Sequence, residues 1–487
     1  MNPDKSIYTV NNNTISISIL LGLGAIAYGF ITGNYIISLG LIALPIFTII
    51  AIQCFRNPII TFLFLFICNY YVLALTRYIN YSGSSYLMDF LGVFCLLTII
   101  IQSHHYHNFN WGIIRHNYFL LGMFVWMVYC FLLIANPSGM IKAWISSRGV
   151  AYNGVIISLL ASLLYTKLKA IKLTLFVLSI LTLTAILKVL QQKFFGWDPF
   201  EYQWLQNGGA VTHIIGSGIR YFSFYTDAGN FGSNMGCACV IFILAGIYIR
   251  NNILLKIYYL IIGVLSLYAL FLSGTRGAIV VPLAAGAFYI MISRNIKIML
   301  AGAFFLFLFY VFFAFTNIGQ SNTQIRRMRT AFTPSEDASF NVRRNNQRKL
   351  ATYLANKPFG EGLGLSGVEN QKNSRRFTTE IPNDSWYVKI WVETGVVGIT
   401  LYLIIMFGSF ALAGWTLFKI KDKETKGILS GILCGIFGLF ISAYGNAFWG
   451  QYPTNIIACW GISIIFNAKI IESDLNNQTN NTNAICC

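Results

Sequence analysis

Residues 394–418 read TGVVGITLYLIIMFGSFALAGWTLF, without a single Asp, Glu, Lys or Arg. A helix needs about 20 apolar residues to cross a hydrocarbon core, so this stretch is long enough to span a bilayer. The same property recurs outward from it: residues 427–468, 228–249, 90–114 and the whole segment between Lys5 and Arg56 are also free of these charges. Across the chain, 56% of residues are hydrophobic and only 10% charged, against roughly 25% charged in soluble domains. An ordinary cytosolic enzyme is excluded. The fold class is an all-α polytopic membrane protein.

Splitting the apolar runs at charges and at Pro, Gly and Asn clusters predicts about fourteen spans. They lie near 15–33, 35–54, 58–76, 85–102, 118–135, 149–166, 171–190, 229–249, 253–273, 277–293, 297–316, 392–418, 427–447 and 451–468. The first run has no small-residue cleavage signal and reads as an uncleaved span. The expected organisation is spans 1–11 over 1–316, an Arg-rich external loop over 317–391, spans 12–14 over 392–470, and a disordered cytoplasmic tail over 471–487. Lys and Arg concentrate in the short loops that lie inside when the N-terminus is inside, including Lys419, Lys421, Lys423 and Lys426 just after the quoted stretch. That asymmetry predicts both termini in the cytoplasm and the long loop outside.

The net charge of +18 raises nucleic acid as a partner. The cations are spread over loops on both faces, however, with no nucleic-acid-binding pattern, and no such partner is expected; the expected surroundings are the lipid bilayer. Eight cysteines (Cys54, Cys68, Cys95, Cys130, Cys237, Cys239, Cys434, Cys459) fall in expected spans and two, Cys486 and Cys487, in the tail. This leaves neither a disulfide framework nor a zinc spacing. His104, His105, His107 and His116 share an inner loop, with His213 outside. No metal and no cofactor are expected.

The long loop holds Arg326, Arg327, Arg329, Arg343, Arg344, Arg348, Arg375 and Arg376. Arg grips phosphate through two parallel hydrogen bonds, so an Arg-rich surface outside a membrane suits an anionic ligand at the lipid boundary. Contact with lipid headgroups is the alternative. Ser339 to about Asn356 reads as a helix stopped by Pro358, with Arg344 and Arg348 on one face and Leu350, Tyr353 and Leu354 available for packing. Gly362 to Gly367 matches the dinucleotide string G-x-G-x-x-G, but it follows a helix where a strand is required, and reads as a turn.

Three further residues stand out. Arg276, in Ser273-Gly-Thr-Arg-Gly277, lies at the end of two apolar runs; it either serves function, as charge at membrane depth usually does, or snorkels to the interface. Arg220 precedes Asp227 and either binds a ligand or pairs with that aspartate. Asp384, in Pro382-Asn-Asp-Ser-Trp386, is either a general base or a cap for the span that follows, with Ser385.

Arg220 with Phe-Tyr-Thr-Asp-Ala-Gly-Asn230, Leu272-Ser-Gly-Thr-Arg-Gly-Ala278, Lys357-Pro-Phe-Gly-Glu-Gly-Leu-Gly364, and Asn383-Asp-Ser-Trp-Tyr387 through Val392-Glu-Thr-Gly-Val-Val-Gly398 occur in that order. Together they resemble the O-antigen ligase/polymerase superfamily of bacterial envelope enzymes, over about residues 210–400. The resemblance implies an integral-membrane glycosyltransferase of GT-C-like architecture in the bacterial inner membrane, its active site facing the periplasm. It implies transfer of a glycan from undecaprenyl pyrophosphate to an acceptor hydroxyl, with no metal or nucleotide sugar. On this analogy Arg220, Arg276 and Asp384 are the catalytic residues, Arg343, Arg344, Arg348 and Tyr387 bind substrate, and a chain-length regulator is a possible partner. Ligases of the family carry a His where this chain has Asp384. That departure favours a polymerase joining repeat units over a ligase acting on lipid A core or a protein O-oligosaccharyltransferase. A polysaccharide flippase would be expected to show internal repeats and short outer loops; neither is seen in this sequence.

Overall fold

Asn and Asp side chains start many of the helices, by accepting hydrogen bonds from backbone donors that lack partners in a first turn. Asn117 accepts from Leu120 N at 3.1 Å, Asn252 from Leu255 N at 2.9 Å and Asp422 from Thr425 N at 2.8 Å. Asp227 accepts from both Gly229 N and Asn230 N, at 2.6 and 3.0 Å. These caps belong to a computed structural model that describes residues 52–79, 83–106, 109–216, 218–293, 296–321, 323–329 and 338–486, with Gly24 and Thr48.

The principal helices are α1 (Pro58–Ile79), α2 (Ser84–Tyr106), α3 (Tyr118–Leu132), α4 (Gly149–Leu164), α5 (Leu168–Phe194), α6 (Ala228–Tyr248), α7 (Ile253–Leu272), α8 (Val280–Ile292) and α9 (Ile296–Phe315). After the 317–391 segment, which contains α10 (Ala338–Leu354), come α11 (Trp386–Phe418), α12 (Lys423–Ser442), α13 (Thr454–Ile465) and α14 (Ala468–Cys486). Among the described residues nine helices are long and apolar enough to cross a membrane, or ten if the bent pair α13–α14 is one span. The chain is therefore a polytopic all-α membrane protein. The expected spans at 15–33 and 35–54 lie almost wholly outside the described residues, and the total of fourteen is not established. Residues 277–293 form only a short apolar helix. The tail expected to be disordered from 471 continues as α14.

The chain divides into two units, Met1–Thr61 with Thr98–His107, and Phe62–Leu97 with Asn108–Cys487. In the smaller, Gln102 donates to the carbonyls of Phe55 and Arg56, and the Thr61 hydroxyl to that of Cys54. In the larger, α6 and α12 are the most enclosed spans, with 78% and 83% of their apolar windows buried. Small residues allow this, as they do wherever helices pack without a hydrophobic driving force. A Cβ on Gly232 of α6 would lie 2.2 Å from Ser273 Oγ, and one on Gly438 of α12 would lie 2.2 Å from the Val281 carbonyl oxygen.

Helix α11 is broken inside. Gly395 adopts φ 71°, ψ −174°, and the break leaves backbone groups that must find partners away from water. A strap of chain supplies them. Glu361 N donates to Val392 O and Gly362 N to Glu393 O, both at 2.9 Å, while Val397 N donates to Pro358 O at 3.2 Å. Strap and break approach so closely that a Cβ on Gly360 would sit 2.5 Å from Gly395 N. The G-x-G-x-x-G string is thus part of a backbone strap, as the turn reading expected, and follows helix α10.

A Gly438→Ala variant must displace the Val281 backbone, and overpacking of this kind costs about 1–3 kcal/mol. Its unfolding midpoint in detergent is expected to fall clearly. Gly408→Ala, with nothing within 4 Å of the added Cβ, is expected to melt as the parent does.

Candidate functional site

Arg220 is placed by a two-residue antiparallel hairpin. Ile214 pairs with Ile219 and Ile215 with Gly218, and Arg220 N extends the ladder to His213 O at 2.8 Å. The next residue ties the hairpin to the end of α7, through Tyr221 N and Leu272 O at 3.4 Å. Arg220 then reaches Thr212 O at 3.0 Å and Thr275 Oγ1 at 2.9 Å. Its Nε is buried without a hydrogen-bond partner among the described residues. Burial pushes this guanidinium below its ordinary value; Asp227 opposes the shift, and the charges of Arg276 and Arg343 add to it. Asp227 forms no ion pair with Arg220. Its oxygens instead hold the start of α6 and accept from Asn446 Nδ2 at 3.1 Å.

The Ser-Gly-Thr-Arg-Gly motif is the corner after α7. Ser273 Oγ donates to Leu270 O at 2.7 Å and accepts from Thr275 N at 3.2 Å. Gly274 takes the left-handed conformation that turns the chain, φ 56°. Thr275 presents the hydroxyl that receives Arg220, so the two arginines are linked through Arg276's own neighbour. Arg276, half-buried, begins a 3-10 turn over Arg276–Ile279. Gly277 O accepts from Ser442 Oγ at 2.8 Å, which fixes the corner to α12.

Two residues of this region carried no sequence signal. Arg77, on α1, donates to Ser223 O at 2.9 Å and also to Tyr225 O, and its guanidinium lies 4.7 and 4.6 Å from the ring centroids of Trp204 and Phe222. It clamps the loop that leads from Arg220 to α6. His213 is buried between Trp204 and Phe222. Its Nδ1 lies 2.9 Å from Gly209 O, and its Nε2 accepts from Ala228 N at 3.3 Å. Burial pushes this imidazole down to about 4, so a neutral ring braces the hairpin. Ahead of the hairpin, Lys188 of α5 pairs with Asp198 at 2.8 Å and Glu201 at 3.1 Å, both just after that helix.

From the other side, the 317–391 segment brings Arg343 and Asp384. Leu350 and Leu354 of α10 are buried against Val392 of α11, with Tyr353 partly buried beside them. This packing is the one expected for those leucines. It leaves Arg343 half-buried on the inward side of α10 and turns Arg344 and Arg348 outward, exposed. Ser339 lies within α10, not before it. Arg343 Nε is buried without a partner among the described residues.

Asp384 precedes α11 but does not cap it. The cap position is Ser385, which makes no capping bond, and its buried Oγ has no partner among the described residues. Trp386 N is satisfied by Ala443 O at 3.0 Å. Burial pushes the Asp384 carboxyl above its ordinary value, against the downward pull of Arg343. Tyr387 donates to the Phe440 carbonyl and so ties α11 to α12.

The structure thus brings Arg276 and Arg343 each within electrostatic reach of Arg220, and Arg343 within reach of Asp384. Arg344 and Arg348 are not part of this group. Arg376 is occupied elsewhere: with Lys357 it holds buried Glu361, at 3.0 Å for the arginine. Three cations and one carboxylate, with orphaned donors on Arg220, Arg343 and Ser385, suit a multiply charged anion beside a group that accepts a proton. Among the described residues no group of three or more His, Cys, Asp or Glu could hold a metal ion.

Residues 261–403, from α7 through the break in α11, match the family model described as O-Antigen ligase. The chain is also 30% identical, over 162 residues, to an O-antigen polymerase of Salmonella muenchen; the match covers 32% of this chain and 38% of the length of that relative. Arg276, Arg343, Asp384 and the strap all lie inside the matched segment of this polytopic helical protein, so the part of the chain that holds them is similar to the O-antigen ligase family.

Proposed function

We propose that this protein is an O-antigen or exopolysaccharide polymerase of the bacterial inner membrane. It transfers a glycan from undecaprenyl pyrophosphate to a hydroxyl of an acceptor repeat unit, on the periplasmic face, where segment 317–391 lies. One observation carries the reading: Arg276 and Arg343 lie within electrostatic reach of Arg220, and Arg343 acts on an Asp384 that caps no helix and forms no ion pair among the described residues. A cluster of cations kept at the lipid boundary is costly unless an anion is bound there, and a lipid pyrophosphate provides that charge. The Salmonella relative's name supports the polymerase branch.

In this mechanism the acceptor hydroxyl attacks the anomeric carbon as the bond from that carbon to the pyrophosphate oxygen breaks, inverting configuration. The Asp384 carboxylate takes the hydroxyl proton. Arg220 and Arg276 hold the pyrophosphate and stabilise the charge that grows on the leaving oxygen. Arg343 bridges the two halves, attracting the donor's phosphates while keeping Asp384 ionised against its burial. Ser385 Oγ offers a further donor. Arg344 and Arg348, exposed, fall outside the grip, and Tyr387 acts by holding α11 in place.

The family model bears the name of ligases, so the ligase reading keeps one supporting observation, and a glycan profile separates the two. Deleting the gene in its host should leave a single repeat unit on the final acceptor. Long chains stranded on undecaprenyl pyrophosphate beside a bare acceptor would identify a ligase instead.

Arg276→Ala should lower turnover by on the order of 100-fold or more while the protein accumulates normally in the membrane; undiminished turnover removes Arg276 from the site. Because Asp384 must be ionised to act and its value is raised, activity should decline with falling pH earlier than an ordinary aspartate would dictate. Asp384→Asn should cost about 10²–10⁴ in rate and abolish that acid limb in the remaining activity. A variant with full turnover and an unchanged pH profile contradicts the base assignment.

A further inference from the structure

Glu393 stands at the break in α11 and is fully buried. Its Oε1 accepts from Ser366 Oγ at 2.8 Å, and its Oε2 has no partner among the described residues. A fully buried carboxylate is a poor device for stability, since an apolar or neutral side chain of similar volume serves as well or better. The hydrogen bonds leading away from it supply a different purpose.

Ser366 lies in the strap and is itself buried. Its hydroxyl, donating to Glu393, accepts from Asn383 Nδ2 at 3.2 Å. The same amide donates to Glu369 Oε1 at 3.0 Å. Both acceptors engage the amide nitrogen, so the orientation of Asn383 is determined. Asn383 is the residue immediately before Asp384, which has no capping bond of its own to fix it. The far end of the chain is equally anchored: the Glu393 carbonyl accepts from Gly362 N at 2.9 Å, and Asn370 Nδ2 holds Ser366 O at 2.7 Å.

We propose that Glu393, Ser366 and Asn383 form a hydrogen-bonded relay whose task is to position Asp384 for the acceptor hydroxyl, Glu393 and Ser366 being positioning residues that never touch substrate. The inference rests on Asp384 being the base of the proposed reaction. It gives the Glu-Thr-Gly sequence at the helix break a chemical role: the break that accepts the strap also delivers a buried acceptor to the residue beside the site. A displacement of about 1 Å at a reacting group costs on the order of 100-fold in rate, so a relay on rigid elements is an effective way to hold Asp384.

The test uses the full chain in detergent or liposomes, with a lipid pyrophosphate-linked repeat unit as substrate. Ser366→Ala and Asn383→Ala should each lower kcat by about 10- to 100-fold with KM for the donor unchanged. The double variant should be no worse than the poorer single, because both cut one chain. The pH profile of the remaining activity, which does not depend on how much protein is folded, should also change. With Asp384 released toward solvent its acid limb should move to lower pH. Normal kcat in either single variant, additive losses in the double, or an unmoved acid limb overturns the relay, provided Asp384→Ala is inactive in the same assay. If Asp384→Ala turns over normally, the base assignment itself has failed, and the relay falls with it.

Discussion

The backbone break at Gly395 is the constraint on which the rest of this structure depends. An uninterrupted helix through that position would leave no acceptors for the N–H groups of Glu361 and Gly362, and no donor for Pro358 O. Those three hydrogen bonds seat the strap, and the strap positions what surrounds it. It ends α10, whose leucines pack on Val392 just before the break. It also carries Ser366 and buried Glu361, the latter held by Lys357 and Arg376. Irregular backbone at this depth is tolerated only when its polar groups are satisfied by protein. Here strap and helix satisfy each other, and glycines let them approach.

The second organising force is electrostatic. Arg220, Arg276 and Arg343 reach one locale from three elements: a hairpin after α5, the corner after α7, and an amphipathic helix in the 317–391 segment. Burial, with a smaller push from the like charges of Arg276 and Arg343, depresses the value at Arg220. The protein meets that cost with rigid supports. Arg77 clamps the loop from Arg220 to α6 through its backbone carbonyls, His213 braces the hairpin as a neutral ring, and Asp227 is consumed as a helix cap. Of these supports only Asp227 offsets charge, acting on Arg220 against its burial. On the proposed function, the charge of the donor's pyrophosphate completes the site.

Much of this was legible in the sequence, and the reasons differ by feature. Apolar runs without charge located the spans because a bilayer imposes both length and composition; from 58 onward each expected run coincides with a helix. The total was less accessible, since short and bent helices such as Val280–Ile292 and the α13–α14 pair read as full spans in composition. Motif order pointed to Arg220, Arg276 and Asp384. Spacing alone singled out Arg344 and Arg348 as a helical pair, but the burial of Leu350 and Leu354 brings Arg343 inward and turns that pair to solvent. Arg77 and His213 were invisible because their partners are mostly backbone groups, which leave no pattern in side-chain identity. The relay through Ser366 was hidden for a related reason: its members are far apart in sequence and meet only because Gly395 breaks the helix.

The most direct measurement is an experimental structure of the protein with a lipid pyrophosphate-linked glycan bound. The account predicts the two phosphates among Arg220, Arg276 and Arg343, with the anomeric carbon facing Asp384. Phosphates seated instead on the outward face carrying Arg344 and Arg348, or a donor held away from Asp384, would contradict it.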